Sequence, residues 1–136
     1  MKKIVLDTNV LISFVTDRNQ AQQEKAEEFL AQAAEGASIL CQQEVISEFV
    51  YVLDSVYQVN KQEIRQMVLD FVNMPGVEIV AGLDFDLIAK LWPERIADYG
   101  DAVIAAVCKN TGNAVVATFD RKFAKELAAI GLTVLD

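Results

Sequence analysis

Residues 3–15 read Lys3-Ile4-Val5-Leu6-Asp7-Thr8-Asn9-Val10-Leu11-Ile12-Ser13-Phe14-Val15. The run Lys3–Leu6 is apolar and β-branched enough for a strand. From Asn9 to Val15 the apolar pattern resumes as a short helix. A carboxylate, Asp7, stands between them in a segment otherwise suited to the interior. Either Asp7 turns the chain, or a positive charge sits above it.

The segments that follow repeat the strand–helix alternation. Gln20–Glu35 reads as an amphipathic helix with Ala26, Phe29, Leu30, Ala33 and Ala34 on one face and Gly36 at its end. Ser38–Cys41 reads as a second strand and Glu44–Tyr57 as a helix. Residues 61–73 place Ile64, Met67, Val68, Phe71 and Val72 at helical spacing, and Met74-Pro75-Gly76 stops that helix. Val77–Val80 is a third strand. A helix starts at Asp84 and runs to Trp92, where Pro93 interrupts it. Residues 101–110 form a helix apolar almost all round, hence buried. Ala114–Thr118 is a fourth strand, Arg121–Ile130 a helix, and Thr133–Leu135 a short last strand. Continuous apolar strands alternating with helices predict a parallel sheet covered on both faces. The expectation is a three-layer α/β/α sandwich with four to five strands.

The bulk composition narrows the function classes. A chain of 136 residues, 53% hydrophobic, is one domain's worth and is too apolar for disorder. No apolar run reaches the roughly 18 residues of a membrane span. Lys2 and Lys3 before an apolar stretch imitate a signal peptide, but Asp7 and Asn9 break it and no cleavage site follows. The two cysteines, Cys41 and Cys108, lie in apolar surroundings and read as buried free thiols in a cytoplasmic protein. There is no histidine, which removes His–zinc sites and the usual catalytic triads. The net charge of −8 argues against nucleic-acid binding through a broad basic surface.

In such sheets, chemistry gathers beyond the carboxyl ends of the strands, at a topological switch point. The first strand ends at Asp7. The fourth ends in Thr118 and Asp120. The second leads into the helix carrying Glu44 and Glu48, and Asp98 and Asp101 precede or open the buried helix. Each acid alone has a plain structural role: Asp7 in an Asx turn, Asp101 and Asp120 as helix N-caps. Glu48 is mid-helix and has no cap to make. On a helical wheel Val45, Ile46, Phe49, Leu53, Val56 and Tyr57 form the buried arc. Glu48 falls at its border and Glu44 farther toward solvent. Two carboxylates about 4 Å apart repel by roughly 4 kcal/mol at an effective dielectric of 20. A cluster of four therefore calls for a cation, and hard oxygen ligands suit Mg²⁺ or Mn²⁺. Lys90, Arg95, Lys109, Arg121, Lys122 and Lys125 are either a basic rim for a phosphate backbone or ordinary solvated helix faces, the commoner role for a single lysine.

Several acidic-site folds fail at particular residues. A haloacid-dehalogenase-type phosphatase needs a second Asp where Asn9 stands. A receiver domain needs adjacent acids after the first strand and an Asp after the third. A metal-dependent adhesion domain needs Asp-x-Ser-x-Ser. No Gly-rich phosphate loop is present.

Four segments, IVLDTNVLISF, EVISEFVYVL, DYGDAVIAA and ATFDRKF, resemble in order and spacing the signature segments of PIN-domain ribonucleases, nearest the small VapC-type toxins of toxin–antitoxin pairs. The resemblance implies a Mg²⁺- or Mn²⁺-dependent endoribonuclease, often a homodimer, inhibited by a small antitoxin. It implies that Asp7, Glu48, Asp101 and Asp120 are the catalytic and metal-binding acids, with Asn9 and Thr118 as supporting polar residues and Asp98 as a further acidic position. Two alternatives stay open at this level: a non-toxin PIN nuclease in RNA processing, and a catalytically silent cation-binding domain. The helix pair 44–57 and 61–73, with Phe49, Tyr51, Tyr57 and Met67, is a candidate wall for an antitoxin groove.

Overall fold

The computed structural model describes residues 2–136. Among them, β1 (Lys3–Leu6), β2 (Ser38–Gln42), β3 (Val77–Val80) and β4 (Ala114–Ala117) form one sheet in the order β3-β2-β1-β4. All three pairings are parallel. The helices are α1 (Thr8–Val15), α2 (Gln20–Ala31), α3 (Gln43–Ser55), α4 (Lys61–Val72), α5 (Phe85–Leu91), α6 (Tyr99–Asn110) and α7 (Arg121–Ala129).

The strand order explains the layers. The chain steps from β1 to β2 to β3 in one direction, then returns past both to place β4 on the far side of β1. Parallel crossovers are right-handed, so a reversal of direction moves the connecting helices to the opposite face. Helices α3 and α4 pack on β2 and β3, whereas α6 packs on β1 and β4. Ile4, Val5 and Leu6 are completely buried, as a strand covered on both faces requires. Helix α6 buries Ala102, Val103, Ile104, Ala105, Ala106 and Cys108, matching its all-round apolar sequence. The α/β/α expectation is met with four strands.

Local details depart from the sequence expectation. The segment 133–135 contributes one parallel bridge, Val116 to Val134, rather than a fifth strand. Too few backbone groups pair there for a ladder. The second helix ends at Ala31 and tightens into a 3-10 turn over Gln32–Glu35, closed by Gly36 at φ 99°. Helix α3 stops at Ser55, so Val56 and Tyr57 leave the helical wheel and are exposed rather than buried. Phe49 faces the core instead of the α3–α4 groove. That groove, about 380 Å³, is lined instead by Val50, Ile64, Val68 and Leu69, with Asp54, Lys61 and Arg65.

Cys41 and Cys108 are buried free thiols, and burial raises them to about 12 and about 11, so neither is a ready nucleophile. No helix among the described residues is long and apolar enough to cross a membrane.

The sheet's carboxyl edge depends on helices being pinned at their first turns. Phe123, completely buried in the first turn of α7, anchors the helix that begins at Asp120. Phe123→Ala should cost about 3–5 kcal/mol of unfolding free energy, read by urea denaturation. A loss below about 1 kcal/mol would mean that α7 is held elsewhere.

Candidate active site

The reversal of strand order puts the switch point between β1 and β4. Asp7 leaves the end of β1 and Thr118 the end of β4, side by side. The Thr118 hydroxyl donates to Asp7 Oδ2 at 2.6 Å. The same hydroxyl oxygen accepts from the Asp120 backbone N–H at 3.1 Å, which fixes the direction of its proton. Asn9 donates through Nδ2 to Asp7 Oδ2 at 3.1 Å and accepts the Phe119 N–H at 3.1 Å through Oδ1. Asp7 Oδ1 accepts the Thr8 N–H at 2.7 Å and caps α1. Asp7 is therefore both a turn residue and a wall of the site.

The surrounding cleft, about 270 Å³, is lined by Asp7, Thr8, Asn9, Arg18, Glu48, Asp98, Gly100, Asp101 and Asp120, with Ile12, Val52 and Ile104 beneath. All four sequence-proposed acids reach one cleft from four separate segments. Glu48 projects from α3 and is exposed. Asp120 is exposed and caps α7 by accepting the Phe123 N–H at 3.1 Å. The cap of α6 is Asp98, which accepts the Asp101 N–H at 3.0 Å. The sequence offered Asp101 for that role. Because α6 begins two residues earlier, at Tyr99, Asp101 falls in the first turn and its carboxyl group is left free for the cleft.

Glu44 does not line this cleft. It is half-buried, with Oε2 buried and unpartnered, contrary to its expected solvent position. Helical side chains lean toward the N-terminus, so a first-turn residue folds back toward the preceding strand end. The expected basic rim is also absent from the lining: Lys90, Arg95, Lys109, Arg121, Lys122 and Lys125 lie outside it, and Arg18 is the cation within it.

Besides the apolar floor of Ile12, Val52 and Ile104, the lining residues that escaped the sequence reading are Thr8, Gly100 and Arg18. Thr8 is buried, and its Oγ1 has no hydrogen-bond partner. Its signal was its place between Asp7 and Asn9. Gly100 lets α6 approach the acids: a Cβ there would stand 3.2 Å from Asp98 Oδ1 and 3.9 Å from Glu48 Oε2. Arg18 sits between two helices, where no periodicity marks it.

The electrostatics are those of carboxyl groups that are partly buried and close to one another. Burial raises Asp7 from 3.8 to about 6, against the lowering effect of Thr118 and the Thr8 N–H; Glu48 and Asp120 repel it further. Burial likewise raises Asp101 to about 8, with repulsion from Asp7, Asp98, Asp120 and Glu126. None of these acids makes an ion pair; the ion pairs among the described residues are Lys25–Glu28 and Lys61–Asp54. Three helix N-termini, those of α1, α6 and α7, point their partial positive charge at the cluster and offset part of the repulsion.

As a donor set, the acids suit a hard divalent cation, and the orphaned Thr8 hydroxyl suits a water bound to one. The carboxylates line the cleft without converging: among the described residues no three of them stand as a closed ligand set.

Comparison with known proteins fits this arrangement. The PIN-domain family model matches residues 4–126. The chain belongs to the PIN-domain family. A VapC ribonuclease of Aquifex aeolicus (strain VF5) is 26% identical over 122 residues, covering 89% of this chain and 90% of that one. Among solved structures, the Mycobacterium tuberculosis toxin VapC20, which cleaves the sarcin–ricin loop, superposes with a TM-score of 0.70 at 17% identity, covering 97% of this chain and 98% of that one. VapBC2 of Rickettsia felis, bound to a promoter DNA fragment, gives 0.67 at 18% identity, with 98% and 97% covered. The PIN-domain endonuclease Utp24 gives 0.56 at 14%, with 98% and 96% covered. At these identities the structural likenesses speak for the PIN fold.

The raised acids make stability depend on pH in a definite direction. A carboxyl group whose folded value lies above its unfolded one stabilises the protein fully below the unfolded value. That contribution is lost as the pH climbs toward the folded value. Metal-free protein should therefore lose stability between pH 4 and 6 through Asp7, and on to pH 8 through Asp101. For Asp7 alone the loss by neutral pH is of order 3 kcal/mol. Thermal melting across this range in a chelator checks it, and Asp7→Asn should flatten the first part of the decline. A melting temperature that rises from pH 4 to 7 would contradict the assignment.

Proposed function

We propose that this PIN domain, acting as one unit over residues 1–136, is an endoribonuclease that hydrolyses RNA phosphodiester bonds, and that it is the toxin of a toxin–antitoxin pair. The observation that carries the nuclease reading is that Asp7, Glu48, Asp101 and Asp120, from four separate segments, line one cleft and none of them is ion-paired. The toxin reading rests on the VapC ribonuclease that matches nearly the whole chain.

Asp7, Glu48, Asp101 and Asp120 are the residues that would hold Mg²⁺ or Mn²⁺, with Asp98 at the margin. Such an ion supplies an activated water nucleophile and stabilises charge on the phosphate and the leaving oxygen. The open spacing of the acids suits an ion held partly through water, as Mg²⁺ prefers. The chain's own contribution is orientation. Thr118 and Asn9 hold Asp7 in one rotamer. The short α7 cap keeps Asp120 at the rim. Water adds across the P–O bond, leaving one phosphate end and one hydroxyl end.

An antitoxin has a candidate seat in the apolar groove between α3 and α4. Exposed Phe85, Trp92 and Tyr99 offer apolar surface for a homodimer. Such a toxin would act in the cytoplasm, where its RNA is.

Asp7→Asn keeps an acceptor for the Thr8 N–H but loses the one that Thr118 and Asn9 use; with folding checked by circular dichroism, it should lower RNA cleavage by about 10²-fold or more. Chelation should abolish cleavage, and Mg²⁺ or Mn²⁺ should restore it. Full cleavage by Asp7→Asn, measured on end-labelled RNA, would remove Asp7 from the site. Expression of the unaltered chain without an antitoxin should arrest growth, and Asp7→Asn should relieve the arrest. An arrest that survives the substitution would point to a binding role instead.

A further inference from the structure

Arg18 is the cation that lines the acidic cleft, and it pairs with none of the carboxylates around it. Its hydrogen bonds go to neutral acceptors: Nη2 to the Asn9 carbonyl at 3.3 Å and to Ser13 Oγ at 3.0 Å, and Nη1 to the Tyr57 hydroxyl at 3.5 Å. Ser13 is completely buried and passes the restraint on, since its hydroxyl donates to Gln22 Oε1 at 3.2 Å. The guanidinium is thus held at the lip of the cleft by α1 and by Tyr57, just past the end of α3. A guanidinium carries five N–H donors. Three are used by these contacts, which leaves the Nε–H and one Nη1–H, each able to reach a phosphate oxygen, on a group whose charge is permanent.

The position is as informative as the bonding. A second hollow, about 360 Å³, adjoins the acidic cleft and is lined by Asn9, Arg18, Asn19, Gln22, Phe119 and Asp120. Asn9, Arg18 and Asp120 line both spaces. A strand lying across the acids therefore passes Arg18 on its way into the outer hollow. There it meets the half-buried ring of Phe119 and the amides of Asn19 and Gln22.

We propose that Arg18 grips the RNA phosphate adjoining the one that is cut, and that the outer hollow receives the neighbouring nucleotide. This rests on the nuclease reading of the same site. It explains how a chain of net charge −8 keeps a polyanion in a cleft of carboxylates: one fixed guanidinium stands where the backbone enters. It also explains why Arg18 is tied to neutral groups, because an ion pair with Asp7 or Asp120 would cancel the charge that the substrate needs.

The test uses a fluorescent single-stranded RNA oligonucleotide, the full chain carrying Asp7→Asn to prevent cutting, and Mg²⁺. Binding is measured across a salt series. Adding Arg18→Ala should weaken binding about 10-fold, a loss of about 1.4 kcal/mol. It should also flatten the slope of log K against log salt by about 0.7, the share of one phosphate on a single strand. Arg18→Gln, which keeps a donor for Ser13 but no charge, should show the same flattening. Arg18→Lys should recover the slope but only part of the affinity. Lys2→Ala, at the opposite edge of the sheet, should leave the slope unchanged although it removes the same charge. Arg18 variants that are folded by circular dichroism and keep the parent slope overturn the proposal while the nuclease reading stands. Failure of the unaltered chain to cut RNA with Mg²⁺ or Mn²⁺ overturns both.

Discussion

The hydrogen bond from Thr118 to Asp7 joins the ends of two strands that are 111 residues apart in the chain. It exists because β4 returns to lie beside β1, and it marks the one place in the sheet where neighbouring strands send their following segments apart. The rest of the site is arranged around it. The Thr118 hydroxyl takes its orientation from the Asp120 N–H, and Asn9 braces both partners. Burial makes the bond matter. Without these donors the carboxyl group would be enclosed against water and would stay protonated still more readily.

The site works against the stability of the chain that carries it. Burial raises the proton affinity of Asp7 and Asp101, and repulsion from neighbouring acids adds to the effect. Local relief comes from the helix N-termini and from hydrogen bonds that hold single carboxyl groups. The larger compensation lies in the core below, where Ile4, Val5, Leu6, Val116, Ala117 and Phe123 are closed to solvent. Strain of this kind is expected wherever a site is shaped for a ligand more than for the free protein.

Much of this was legible in the residues. The alternating apolar runs gave the parallel sheet, and the switch-point rule then gave the meeting place of Asp7, Glu48, Asp101 and Asp120. What escaped was set by end geometry that periodicity does not report. Helix α6 begins before Asp101, which hands the cap to Asp98. Helix α3 ends before Val56, which turns that residue and Tyr57 outward. Residues 133–135 have the composition of a strand but pair at a single bridge. Arg18 and Gly100 matter through what surrounds them in space: one through its neutral partners, the other through a missing Cβ. The candidate basic rim drawn from sequence proximity does not line the cleft, because nearness along the chain does not fix which side chains face it.

Asp7, Asp98 and Asp120 each start a helix as well as lining the cleft. This double employment bears on how such a site ages. Drift to alanine at any of the three would fray a helix while it emptied the cleft, so chemistry and foldability would be purged together. Asparagine is the exception, since it caps as well as aspartate does but carries no charge. Descendants of this chain that had lost their chemistry yet kept their shape would therefore be recognised by asparagines at the helix starts rather than by ruined helices. Glu48 and Asp101, which cap nothing, would be the first acids free to vary.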